Sequence, residues 1–200
     1  MDYSINQFFE PHECEDIINY MEDNGVHFSY TKDMNSWYCK RVPNFEFVEY
    51  IKNRFIENYN NGKLKLWFPL EEFDIKDINV SLTKYYDGRW LELHKDQDSQ
   101  LSTIVVLSEG FFDGRFLLTD SDKFRNGASQ AVPKLGSVPG SKVYEVDKIH
   151  LSKGESLTFN GTELYHGVLP VNEGIRYSLN IWMTNTDVKF LRPLKNKSVI

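Results

Sequence analysis

Cysteine is nearly absent from the chain, occurring only as Cys14 and Cys39. Two thiols make neither a disulfide framework nor a zinc-finger spacing, so they predict a reduced, cytoplasmic protein. No run approaches the roughly 18 apolar residues of a membrane span. The opening "MDYSINQFFEPHECED" lacks the basic start and apolar segment of a signal peptide. Positive charge is also short, with 23 Lys and Arg against 29 Asp and Glu and a net charge of -6, which argues against a nucleic-acid or anionic-membrane surface. No internal repeat and no low-complexity tail is visible. What the chain does have is 200 residues with 40% hydrophobic and 14% aromatic content, which suits one domain over 1–200 with a substantial core.

Apolar periodicity divides that domain in two. In "FFEPHECEDIINYMEDNG", Cys14, Ile17, Ile18 and Met21 make a helical stripe, with Pro11 in its first turn and Gly25 at its end. A second helix is expected in "NFEFVEYIKNRFIENYNNG", capped by Asn44 and stopped by Gly62, with Phe45, Val48, Ile51, Phe55 and Tyr59 on one side. This helical part ends at about residue 62. From about 63 to 190 the pattern shortens to strand-like runs: "KLKLWF", "INVSLTKYY", "WLELH", "LSTIVVLS", "GFFDGRFLLT", "KVYEVDKIHL", "ESLTFN", "LYHGVLPV" and "RYSLNIWM". They are rich in β-branched and aromatic residues and separated by Gly, Asn, Asp or Pro, as in a sandwich or barrel. The expected fold is mainly β, a jelly-roll (double-stranded β-helix, cupin-like) core with the N-terminal helices packed outside. Residues 120–141, polar and rich in Gly, Ser and Pro, read either as disordered or as a lid carrying Lys123, Arg125, Lys134 and, just beyond, Lys142. Trp37, Tyr38, Trp67 and Trp90 read as core before pocket.

The chemistry begins at "WLELHKDQDS". His94 and Asp96, at i and i+2 of a strand, can share a face and chelate a cation, with Asp98 as an exposed neighbour. A His-x-Asp arises by chance in about one sequence in three of this composition, so partners decide its meaning. Further along, "LYHGVLPVNEGIRYSLNIWM" supplies His166 and, ten residues later, Arg176, which shares a strand face with Ser178 and Asn180. Taken singly, His166 reads as a structural histidine and Arg176 as a surface arginine. Two imidazoles and a carboxylate would leave three positions open on a metal, which suits non-haem iron(II) and not a closed structural zinc site.

The order His-x-Asp, about 70 residues, His, ten residues, Arg-x-Ser resembles the iron(II) and 2-oxoglutarate-dependent oxygenases, specifically their prolyl 4-hydroxylase-like branch. "INQFFEPHECEDII" resembles that branch's opening strand and helix, and "KYYDGRWLELHKD" its Tyr-x-x-Gly-x5-His-x-Asp, with Tyr85 and Gly88 in register. "LSTIVVLSEGFFDGRFLL" resembles its T-x-x-x-Y-L-N and G-G-x-L-x-F hairpin, and the segment from Leu151 to Met183 its last part. Two departures stand out: Val106 replaces the hairpin tyrosine, with Thr103 as a substitute contact, and Asp113-Gly114 replaces the Gly-Gly pair.

The resemblance implies His94, Asp96 and His166 as iron ligands. It implies Arg176 as the partner of the far carboxylate of 2-oxoglutarate, assisted by Ser178 and Tyr85. It also implies dioxygen as cosubstrate, with ascorbate as a reductant. Asp96 favours hydroxylation, since halogenating relatives lack this carboxylate. The implied activity is hydroxylation of an unactivated C–H with release of succinate and carbon dioxide, on a prolyl residue of a peptide or on a free amino acid or other small molecule. A cupin-like metal hydrolase or isomerase and a non-catalytic binding barrel are the competing classes, and neither needs Arg176.

Overall fold

The computed structural model describes residues 2–27, 38–41, 44–73, 75, 77–86, 88–96, 99–119 and 147–184. Two helices stand among them. Helix α1 (Pro11–Asn24) begins with the Glu10 backbone N–H donating to the Glu13 carboxylate at 2.8 Å, and α2 (Phe45–Asn60) begins with Asn44 Oδ1 accepting from the Glu46 N–H at 2.8 Å. The buried stripe of α2 is Phe47, Ile51, Phe55 and Asn58. Phe45 is 74% exposed and does not join it. The stripe starts two residues later than expected, and Phe47 stacks on Tyr20 of α1, with ring centroids 4.5 Å apart.

All strand pairings are antiparallel. The larger sheet has seven strands in the order β1 (Tyr3–Gln7), β10 (Glu155–Phe159), β6 (Leu101–Val106), β13 (Ile175–Thr184), β4 (Asp77–Tyr86), β3 (Tyr38–Arg41) and β2 (Val26–His27). The smaller has four: β5 (Leu91–His94), β11 (Tyr165–Val168), β8 (Phe116–Thr119) and β9 (Asp147–Ile149). A two-stranded ribbon pairs β7 (Phe112–Asp113) with β12 (Val171–Glu173). Strands β1 to β3 come from the first 62 residues, so the part expected to be helical also builds the large sheet.

Side-chain alternation splits the interior into two apolar layers. Val80 and Leu82 of β4, Val105 of β6, and Leu179, Ile181 and Met183 of β13 meet Cys14, Ile17, Met21, Ile51 and Phe55 of the helices. The opposite face contributes Tyr85, Ile104 and Val106, which join Phe116, Leu118, Ile149 and Val168 of the smaller sheet. Because the large sheet is covered on both sides, all six residues of β6 are buried. The result is the expected jelly roll with helices outside.

Several expected strands differ. "KLKLWF" forms none: the Leu64 N–H goes to the Asn58 carbonyl at 2.9 Å and the Lys65 N–H to Asn6 Oδ1 at 3.0 Å, so no ladder can use them. "GFFDGRFLLT" breaks into β7 and β8 at Asp113 and Gly114, both at positive φ, and "LYHGVLPV" breaks into β11 and β12 around Pro170. Trp67 is 37% exposed, not core, and Trp90 is half-buried. Trp37, Asp98 and the segment 120–141 with its cations, Lys142 included, lie outside the described residues. Among those described, no helix is long and apolar enough to cross a membrane.

Gly154 locks three elements together. Its carbonyl accepts from the N–H groups of Phe8 (2.9 Å) and Phe9 (3.1 Å), while its own N–H reaches the Val106 carbonyl at 2.7 Å. Its φ is +86°, and an added Cβ would lie 2.2 Å from the Phe9 carbonyl oxygen. Gly154→Ala should therefore lower the unfolding free energy by about 1–3 kcal/mol, measured by urea denaturation; an unchanged midpoint would refute this account.

Candidate metal centre

Strand pairing makes the first contact of the site. His94, the last residue of β5, lies directly opposite His166 of β11, and their ring centroids are 4.3 Å apart. Asp96 arrives differently from the sequence expectation. Strand β5 stops at His94, and Asp96 sits in the loop beyond, its N–H bound to the Gly161 carbonyl at 2.9 Å. A loop anchored to a turn, not a shared strand face, therefore brings the carboxylate in. Asp96 Oδ1 lies 3.6 Å from His166 Nε2 and 3.9 Å from His94 Nε2, and one donor atom from each of the three residues falls within 4.8 Å of the others.

The surroundings prepare these donors. His166 Nδ1 is 3.1 Å from the Leu164 carbonyl oxygen, which can only accept, so this contact fixes the ring orientation and leaves Nε2 turned toward Asp96. Phe116 stacks on the His166 ring at 12° with centroids 6.0 Å apart, and Phe159 crowds it at 4.7 Å. Asp96 Oδ2 accepts from the Ser102 hydroxyl at 2.6 Å. Burial pushes the Asp96 carboxyl up, but His166, the Ser102 hydrogen bond and His94 together outweigh it and hold the group below the usual carboxylate range. The His166 and Asp96 side chains are 5% and 14% exposed and that of His94 is 37% exposed, so the site is sheltered on two sides and reachable on the third.

A second charged group lies inside the barrel. Arg176 is only 1% exposed, since even-numbered positions of β13 face the smaller sheet. Its Nη1 donates to Ser178 Oγ at 3.1 Å, and its guanidinium stands 5.4 Å from the ring centroid of Tyr85, its cross-strand partner on β4. Burial lowers its pKa, opposed by Tyr85, and no carboxylate among the described residues pairs with it. The bare Cα of Gly114 leaves the Arg176 stem room, for a Cβ there would come within 3.1 Å of Arg176 Cδ. Next along the same face, Asn180 donates to Ser81 Oγ at 3.3 Å and to Thr83 Oγ1. Arg176 also lines a crevice with Val106, Phe111, Phe116 and Leu151. Phe116 thus belongs to both the crevice wall and the surroundings of His166.

No protein-family model and no curated protein matches the chain in sequence. Solved structures do match in shape. A prolyl 4-hydroxylase from Pseudomonas putida superposes with a TM-score of 0.61 at 14% identity, covering 92% of each chain. The viral collagen prolyl hydroxylase of Paramecium bursaria Chlorella virus-1, in complex with 2-oxoglutarate, gives 0.59 at 18% identity over 92% of this chain and 96% of that one. A Trichoplax adhaerens prolyl hydroxylase, bound to a fragment of the hypoxia inducible factor oxygen degradation domain, gives 0.64 at 13% identity over 92% and 83%. The chain shares the fold of these three structures.

Within that fold, Thr103 does not take the role expected of it. Its hydroxyl points to the helix side of β6, where it meets Thr158 Oγ1 at 3.0 Å, while Val106 faces the crevice. The polar residue of β6 that faces the site is Ser102, which the sequence reading passed over. Its signal was present: if Val106 stands at the tyrosine of T-x-x-x-Y, the threonine of that pattern falls on Ser102. Leu164 contributes through its backbone carbonyl, for which side-chain identity gives no signal.

A buried guanidinium with no carboxylate partner among the described residues is costly to the unliganded fold. Arg176→Met, close in volume, is expected to leave the stability of the ligand-free protein unchanged or to raise it by about 1–4 kcal/mol, read from thermal or urea unfolding. A clear loss of stability would instead assign Arg176 a structural role.

Proposed function

We propose that the protein is an iron(II)- and 2-oxoglutarate-dependent dioxygenase that hydroxylates an unactivated C–H, with a prolyl residue of a peptide as substrate. One observation carries this reading: the barrel that gathers two imidazoles and a carboxylate also buries a guanidinium that pairs with no carboxylate among the described residues. A metal hydrolase or a plain binding barrel has no use for that cation, whereas a dicarboxylate cosubstrate supplies the missing partner.

The donor set fits iron(II). His166 Nε2, His94 Nε2 and Asp96 Oδ1 would hold the metal, being mixed nitrogen and oxygen donors with positions left over for other ligands. Iron(II) with 2-oxoglutarate supplies the activation of dioxygen that C–H hydroxylation requires, and the cosubstrate leaves as succinate and carbon dioxide. The rest of the work belongs to the chain. Arg176 would pair with the far carboxylate of 2-oxoglutarate through two charge-assisted hydrogen bonds, and it keeps its charge in the pocket. Ser178 steadies Nη1, and the Tyr85 ring supports the guanidinium. Phe116 and Phe159 exclude water from the buried side of His166. The peptide substrate is supported by the Trichoplax adhaerens structure, whose hydroxylase of the same fold holds a peptide; here it would approach from the side on which His94 is exposed.

Under anaerobic conditions, purified protein with iron(II) and 2-oxoglutarate should develop a weak visible charge-transfer band. Arg176→Ala should weaken it, and His94→Ala or His166→Ala should each abolish iron retention. Absence of the band, together with no succinate formed in air with ascorbate present, would sink the dioxygenase reading. A succinate screen over proline-rich peptides, free amino acids and nucleic acids tests the substrate. Turnover is expected with the peptides, and turnover confined to free amino acids would overturn the prolyl assignment alone.

A further inference from the structure

We infer that Ser102 is a positioning residue that restricts Asp96 to a single ligating oxygen and so keeps the metal site open for a chelating cosubstrate. The inference rests on the proposed function, since it takes Asp96 as a ligand. A carboxylate can offer a metal one oxygen or both. With two imidazoles and one oxygen, an octahedral metal has three positions left; with both oxygens it has two, one short of what a two-point cosubstrate and dioxygen together need. Something must hold the second oxygen away.

Ser102 is placed to do so. Its Oγ lies 2.6 Å from Asp96 Oδ2, at the short end for a hydroxyl on a charged carboxylate, while Oδ1 is the atom near both imidazoles. Ser102 is fully buried on β6, a strand paired on both sides, so its Cα has little freedom. Behind it, Ser99 Oγ stands 2.9 Å from Ser102 Oγ and is itself within 3.2 Å of the Leu101 carbonyl and 3.5 Å of the Met183 carbonyl. Gly161 completes the clamp from the other side. Its carbonyl accepts the Asp96 N–H, and a Cβ at this position would lie 2.3 Å from Ser102 Oγ and 2.4 Å from Asp96 Oδ2. The bare Cα of Gly161 is what lets the serine and the carboxylate meet.

Cobalt(II) serves as the probe, titrated into the full chain by calorimetry, followed by 2-oxoglutarate titrated into the cobalt-saturated protein. Ser102→Ala, which frees the second Asp96 oxygen to ligate, is expected to leave cobalt bound at least as tightly and to weaken the subsequent binding of 2-oxoglutarate about 10- to 100-fold. Ser102→Thr, which keeps the hydroxyl, should restore most of that loss. Thermal melts of the metal-free proteins establish folding, and if Ser102→Ala does not fold, Ser102→Gly decides. Wild-type affinity for 2-oxoglutarate, or a loss of cobalt itself, in the deciding variant overturns this role of Ser102 and leaves the proposed function standing. A wild-type protein that binds no cobalt overturns both.

Discussion

The pairing of β13 with β4 on one side and β6 on the other is the constraint on which the rest of the molecule depends. Held along its whole length, β13 cannot rotate, so its residues alternate strictly between two environments. Leu179, Ile181 and Met183 go to the helices, and Arg176, Ser178 and Asn180 go to the barrel. A slip of one residue would send the guanidinium into the helix layer and the leucine into the barrel. The same register that seals the core therefore aims the charged group, and fold and site cannot be changed independently at this strand.

That coupling has an energetic consequence. A cation withdrawn from water without a counter-charge opposes folding, and the apolar layers on both faces of the large sheet must absorb the cost. The other site does the opposite. There, the Leu164 carbonyl, the Ser102 hydroxyl and the Gly161 carbonyl each satisfy a polar atom that does not face the common centre, so the donors that do face it are set before any ligand arrives.

Much of this was legible in the sequence, and the limits have identifiable causes. The order and spacing of His94, Asp96, His166 and Arg176 pointed to one site through the resemblance to a known family, and strand alternation carried the shared face of Arg176, Ser178 and Asn180 directly. How Asp96 arrives was not legible, since it depends on where β5 stops, and that is set by a backbone contact to Gly161. Thr103 and Ser102 are adjacent hydroxyls on one strand, and which of them faces the barrel follows from register alone. "KLKLWF" has strand composition, but the side chain of Asn6 and the carbonyl of Asn58 take the N–H groups a ladder would need. The start of the helix stripe was read two residues early because Phe45 and Phe47 are the same amino acid two positions apart, and tertiary packing chose between them.

The unequal shelter of the three donors bears on exchange. His166 and Asp96 are enclosed by Phe116, Phe159 and Ser102, whereas His94 sits at a strand end with over a third of its side chain in contact with water. On the proposed reading, an ion arriving from solution would meet His94 before the other two, and a competing chelator would reach that imidazole first. The rate at which the centre fills and empties would then follow the rotamer freedom of this one residue, and a substrate seated over His94 would slow both directions at once without adding a bond to the metal.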